Sequence, residues 1–128
     1  MKCVLLFIAY LSTLSLISQD PDFEQEINSL TKKGLSFYGI QKDSALYYFD
    51  KIEQLSLQNG DTLSAIEMII TSNRHLGYFF DLRKIGANLK KLDSLIEPHS
   101  LLWKKIEDPM LYQNSIMYEK GNYYYKIG

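Results

Sequence analysis

The chain has 128 residues and a net charge of −1, with 46% hydrophobic and 23% charged side chains. That balance excludes a disordered tail, a collagen-like fibre and a multispan membrane protein, and it sets up no long-range field for attracting nucleic acid. Tyr 10, Phe 6 and Trp 1 are a large aromatic packing capacity for what is at most one small domain.

Met1 and Lys2 give a short positive start, and Val4 to Ile17 follow as an uncharged apolar run. The run is shorter than the ~20 residues that span a bilayer core. It ends at Ser18 and turns polar with Gln19, Asp20, Pro21 and Asp22, the pattern of a signal peptidase site. Residues 1–18 therefore read as a signal peptide, and 19–128 as an exported product, periplasmic or secreted, with no membrane attachment after cleavage. Cys3 precedes the apolar run and leaves with it. The mature chain then has no disulfide, no thiolate nucleophile and no cysteine-based zinc site, which a bacterial periplasm tolerates.

Helical periodicity runs through the remainder. A first helix begins near Asp22 and sets Phe23, Ile27, Leu30, Gly34 and Phe37 on one face. Asp43 or Ser44 is the expected cap of a second helix bearing Ala45, Phe49 and Ile52. Asn59-Gly60 breaks the chain, and Asp61 or Thr62 caps a third helix with Ile66, Ile69, Ile70, Leu76 and Phe80 on its apolar side. A fourth carries Ile85, Leu89, Leu92 and Ile96 before Glu97-Pro98 stops it. Leu101, Leu102 and Trp103 suit a short linking turn. Asp108-Pro109 reads as N-cap plus first helical residue of a fifth helix carrying Met117, Gly121 and Tyr124, a face left short of cover unless a partner helix follows. The predicted fold class is all-α, in antiparallel helix hairpins.

Gly34, Gly77 and Gly121 recur at a period of about 43 residues, each with an aromatic three positions later. Periods of this size signal stacked helical units. A glycine inside a helix costs roughly 1 kcal/mol against alanine, so three in register predict three places where a neighbouring helix approaches closely. Gly39 and Gly128 close periodic runs and look like C-caps.

Three segments carry a resemblance. Leu76-Gly77-Tyr78-Phe79-Phe80 resembles the L-G-x-x-Y core of helix A of a tetratricopeptide (TPR) repeat. Asp43 to Ile52 is similar to the helix B pattern D-x-A-x-x-x-F-x-K-A, and Glu119 to Gly128 to the K-G-N-x-x-Y-x-x-G stretch of another helix A. The units, 22–58, 61–97 and an incomplete 109–128, exceed the usual 34 residues and resemble long-repeat variants. The resemblance implies a short TPR-like α-solenoid after the signal peptide. Because Gly128 falls where the turn between helix A and helix B belongs, it also implies a fragment of a larger bacterial protein. Gly86-Ala87-Asn88 matches the small-residue position of the second helix B only roughly.

Catalytic signatures are absent: there is no H-E-x-x-H, G-x-S-x-G, phosphate loop or dinucleotide fingerprint. His75 follows Arg74 on a helix and is expected at the solvent or at a pocket edge; His99 follows Pro98 in a connector. Glu24 and Glu26 point apart on a helix and favour its positive end. The basic doublets Lys32-Lys33, Arg83-Lys84, Lys90-Lys91 and Lys104-Lys105 have acids near them and read as solvated faces. TPR arrays similar to chaperone cofactors hold a terminal carboxylate with Lys and Asn. Asn122 matches one such Asn, but Tyr118 stands where the lysine belongs, and Leu35 and Tyr78 where the other asparagines do, so that clamp is not expected.

The resemblance implies a non-catalytic scaffold segment that binds a protein or peptide on a concave face of helix A residues, without cofactor, metal or nucleic acid. The candidate contacts are Tyr38, Tyr78, Asn122 and Tyr125. An alternative is the N-terminal sensor or regulatory region of a larger protein with a CHAT protease, histidine kinase or DNA-binding output domain. A third is an apolar-ligand pocket between helices.

Overall fold

The computed structural model describes residues 21–96 and 109–128, with side chains in the second segment from 113 onward. Five helices follow one another: α1 (Pro21–Ser36), α2 (Lys42–Gln58), α3 (Thr62–Gly77), α4 (Leu82–Ile96) and α5 (Pro109–Ile127). No strand occurs among the described residues. The expected signal peptide over 1–18, His99, the Leu101–Trp103 turn, Lys104-Lys105 and the Asp108 cap lie outside them.

Each helix starts and stops for local reasons. In α1, Asp22 and Glu24 sit in the first turn and Lys33 in the last, complementing the helix dipole. Its predicted face holds: Leu30 and Gly34 are buried, and Phe23 and Ile27 are half-buried. The cap of α2 is Gln41, with extended backbone and no side-chain capping bond, so Asp43 and Ser44 lie inside the helix and not at its cap. Ser44 Oγ instead donates to Gln41 Oε1 at 3.0 Å. Asp61 caps α3 as expected, its Oδ1 accepting the Ser64 N–H at 3.1 Å. Asp81 does the same for α4 through the Lys84 N–H at 3.2 Å.

The helix ends divide into one relaxed and one strained copy of the same device. After α2, the Asp61 N–H donates to Ser56 O at 2.8 Å and the Gly60 N–H to Leu57 O at 3.1 Å. Gly60 takes φ 73° between them, which closes a Schellman turn at no steric cost. After α3, the Asp81 N–H donates to Leu76 O and the Phe80 N–H to Gly77 O. Here Phe80 holds the left-handed position, at φ 53°. Phe80 is therefore outside α3 and 74% exposed, and not part of its apolar face as the periodicity suggested.

Every helix packs on its predecessor, and α3 also meets α5. The short turns reverse the chain, so α1–α2 and α3–α4 are antiparallel hairpins. The core centres on α3, where Ile66, Ile69, Ile70 and Leu76 meet Leu46 of α2, Ile85, Leu89 and Leu92 of α4, and Ile116 of α5. Ion pairs join alternate helices: Lys91 of α4 to Glu53 of α2 at 2.7 Å, and Arg74 of α3 to Glu119 of α5 at 3.1 Å. The result is an all-helical bundle with a repeat-like succession of hairpins.

Two expectations need correction. On α5 the inward stripe is Ile116, Glu119 and half-buried Tyr123, whereas Met117 is 71% and Tyr124 63% exposed. The packed face is turned by one residue, about 100°, because α5 packs chiefly on α3 and α4 and seats Tyr123 on Gly86. The three periodic glycines also have unlike surroundings. A Cβ at Gly34 would lie 2.7 Å from the ring of buried Phe49, so α2 can approach only because the position is glycine. At Gly77 the nearest neighbour is Lys126 Nζ at 3.9 Å, and at Gly121 there is nothing within 4 Å. The second close approach belongs to Gly86, where a Cβ would meet Tyr123 Oη at 2.7 Å.

Candidate functional site

Between α3 and α5, beside the turn that follows α1, lies a cleft of about 420 Å³. That volume falls within the range of small-ligand sites. Tyr38 enters from the turn, Asn73, Arg74, Gly77 and Tyr78 from the end of α3, and Ile85 from α4. Tyr118, Glu119, Asn122, Tyr123 and Lys126 complete it from α5. Aromatic walls thus enclose a mixed polar floor.

The sequence candidates divide. Tyr38, Tyr78 and Asn122 line the cleft together, while Tyr125 is 88% exposed and not among its lining residues. Tyr38 meets Tyr78 edge-on, with ring centres 5.6 Å apart. Burial, and after it Tyr78, raises the Tyr38 phenol above its ordinary pKa. The hydroxyl therefore remains protonated at neutral pH, a hydrogen-bond donor and not a base.

Glu119 is 6% exposed, and its Oε1 accepts from Arg74 Nε. Burying a carboxylate costs several kcal/mol unless it is paired, and Arg74 supplies that pairing. Lys126 Nζ lies 5.4 Å from the centre of the Phe80 ring and reaches over Gly77. Asn73 is 1% exposed, yet neither its Nδ2 nor its Oδ1 has a hydrogen-bond partner among the described residues. An orphaned buried amide of this kind costs about 1–3 kcal/mol. These four residues were not picked out from the sequence. Asn73 carried a readable sign, since it interrupts the buried stripe of Ile66, Ile69, Ile70 and Leu76 at helical spacing. Arg74 and Glu119 carried a weaker one, being 45 residues apart, close to the repeat period.

His75 departs from expectation. It is neither solvent-facing nor at the cleft edge but fully buried. The Gly39 N–H donates to its Nδ1 at 3.0 Å, and its Nε2 lies 3.0 Å from the Lys42 carbonyl. An N–H can only donate and a carbonyl only accept, so the proton sits on Nε2 and the ring is neutral. His75 thereby ties the α1–α2 turn to α3, with the rings of Tyr38, Phe49 and Phe79 packed around it.

Among the described residues, no group of three or more His, Cys, Asp or Glu is placed to hold a metal ion. None of the described helices is long and apolar enough to cross a membrane. Comparison with models of protein families, with curated protein sequences and with solved structures returns no match.

Proposed function

We propose that this chain is a non-catalytic, TPR-like helical-repeat segment that binds a peptide or a peptide-like stretch of a protein in the cleft between α3 and α5. The observation that carries the reading is the meeting of Tyr38, Tyr78 and Asn122, from a turn and two helices, in one concave site. Tyrosines give broad contact area at little conformational cost, and Asn122, Arg74 and Lys126 add hydrogen-bonding groups that fix an occupant's register.

The test is selection of peptides from a random display library on the immobilised chain, with a Tyr78→Ser/Asn122→Ala variant as counter-target. Tyr78 is 63% exposed, so the variant keeps the fold. Enriched peptides are expected to bind the native chain and lose about tenfold or more on the variant. Failure to enrich any peptide, or equal binding to both proteins, overturns the proposal.

A further inference from the structure

We propose that the α3–α5 cleft takes an acidic peptide segment in extended form. The Asn73 carboxamide would pair with the N–H and C=O of one residue, while Lys126 and Arg74 receive a neighbouring carboxylate. This rests on the peptide-binding reading above and specifies its chemistry.

The starting point is the unpaired amide. Buried polar groups in folded proteins are almost always hydrogen-bonded, and Asn73 offers both a free donor and a free acceptor. Ser56 Oγ is also without a partner, but Ser56 lies in α2, away from the cleft. Asn73 is part of the cleft lining, and its amide atoms are closed to solvent in this structure, so an entering group satisfies them by pressing aside the side chains that cover them. In an extended chain the N–H and C=O of one residue point the same way, as they do when a strand pairs with its neighbour. A side-chain carboxamide presents the complementary pair.

Charge selects the sequence of the occupant. The ionised side chains lining the cleft are Arg74, Glu119 and Lys126. Glu119 is buried and taken up by Arg74 through Nε, while the Arg74 side chain remains 49% exposed. Lys126 is exposed, over Gly77 and beside the Phe80 ring. Two cations against one satisfied carboxylate make the cleft locally positive on a chain of net charge −1. A carboxylate is the group that such a surplus attracts.

Spacing is compatible with one occupant serving both features. Gly77 is four residues beyond Asn73, about 6 Å along the helix. Lys126 Nζ lies 3.9 Å from where a Gly77 Cβ would stand. An extended peptide advances about 3.4 Å per residue, so a residue held at Asn73 brings an adjacent side chain to Lys126. The missing side chain at Gly77 keeps the floor open between the two.

The experiment titrates the isotope-labelled full chain with capped octapeptides and follows backbone amide shifts. The probes are alternating Ser-Glu, its Ser-Gln and Ser-Lys counterparts, and Ser-Glu with alternate backbone amides N-methylated. The Ser-Glu probe is expected to shift Arg74, Gly77 and Asn122 and to bind about tenfold tighter than Ser-Gln. N-methylation is expected to weaken it by about tenfold, and Lys126→Gln to erase the preference for Glu over Gln. Asn73→Leu is expected to lose binding while its thermal midpoint stays level or rises, because the substitution removes an orphaned amide. Gly77→Leu blocks the floor without touching Asn73 and is expected to lose binding too. Undiminished binding by Asn73→Leu, by the N-methylated probe, or equally by the Ser-Lys probe overturns the inference. If library-selected peptides occupy the cleft and the acidic probes do not, this inference falls and the peptide-binding reading stands. If no peptide of any kind shifts the cleft, both fall.

Discussion

A single imidazole shows how much a residue's role depends on groups that sequence does not display. His75 accepts from the Gly39 N–H and donates to the Lys42 carbonyl, partners 36 and 33 residues away. Both are backbone atoms, which every residue carries, so nothing in the sequence marks them. Beside charged Arg74, the ring looked exposed; in the structure the two side chains part, His75 to the core and Arg74 to the cleft. His75→Ala leaves the part-buried Gly39 N–H without its acceptor and opens a void between aromatic rings. It is expected to lose about 3 kcal/mol of stability, read from a urea midpoint. Tyr125→Ser, at an 88% exposed position, is the matched control and is expected to change it by less than about 0.5 kcal/mol. Equal midpoints for the two variants would contradict the staple.

Helix existence and most helix faces were legible, because burial on one side imposes a 3.6-residue period and because Asp61 and Asn59-Gly60 are strong local signals. Faces failed where packing is one-sided: α5 touches neighbours along one stripe only, and its tyrosines spread apolar character around the helix. Helix α3 was read a few residues too long for a different reason. Phe80 continues the apolar period but occupies the left-handed position that Gly60 fills after α2. Comparing Phe80→Gly with Phe80→Ala removes the Lys126 contact from both and isolates the backbone cost. Glycine is expected to be the more stable by about 1 kcal/mol in chemical denaturation. Alanine equal to or above glycine would mean that the left-handed turn carries no strain.

At the scale of the molecule, succession of antiparallel hairpins was legible and the reason offered for it was not. Interchangeable glycines do not hold the bundle together; Gly34 and Gly86 admit an aromatic each, and Gly77 and Gly121 do not. Contacts between hairpins come instead from the α3-centred core, His75 and cross-helix ion pairs. One such pair joins Lys42 at the start of α2 to Asp81 before α4, at 2.6 Å. The Lys42 hydrogen bond holds Asp81 below its ordinary pKa of 3.8, and the same bond raises Lys42 above its ordinary 10.5. The depressed carboxylate stabilises the fold above its unfolded pKa and loses that contribution as pH falls through its folded one. The raised ammonium contributes below 10.5 and loses its part as pH rises beyond. Asp81→Asn keeps the cap acceptor for Lys84 and deletes the charge. The stability gap between native chain and variant is therefore expected to be widest from about pH 5 to 9 and to close at both extremes, in denaturation series across pH. A gap that does not vary with pH would show that the pair contributes nothing.

The buried imidazole also governs how the hairpins can move. Bolted between one hairpin's turn and the next hairpin's first helix, it removes the hinge on which the two could swing. On the peptide-binding proposal, the Tyr38 side of the cleft is thereby set before an occupant arrives, so little of its freedom is lost at the moment of capture.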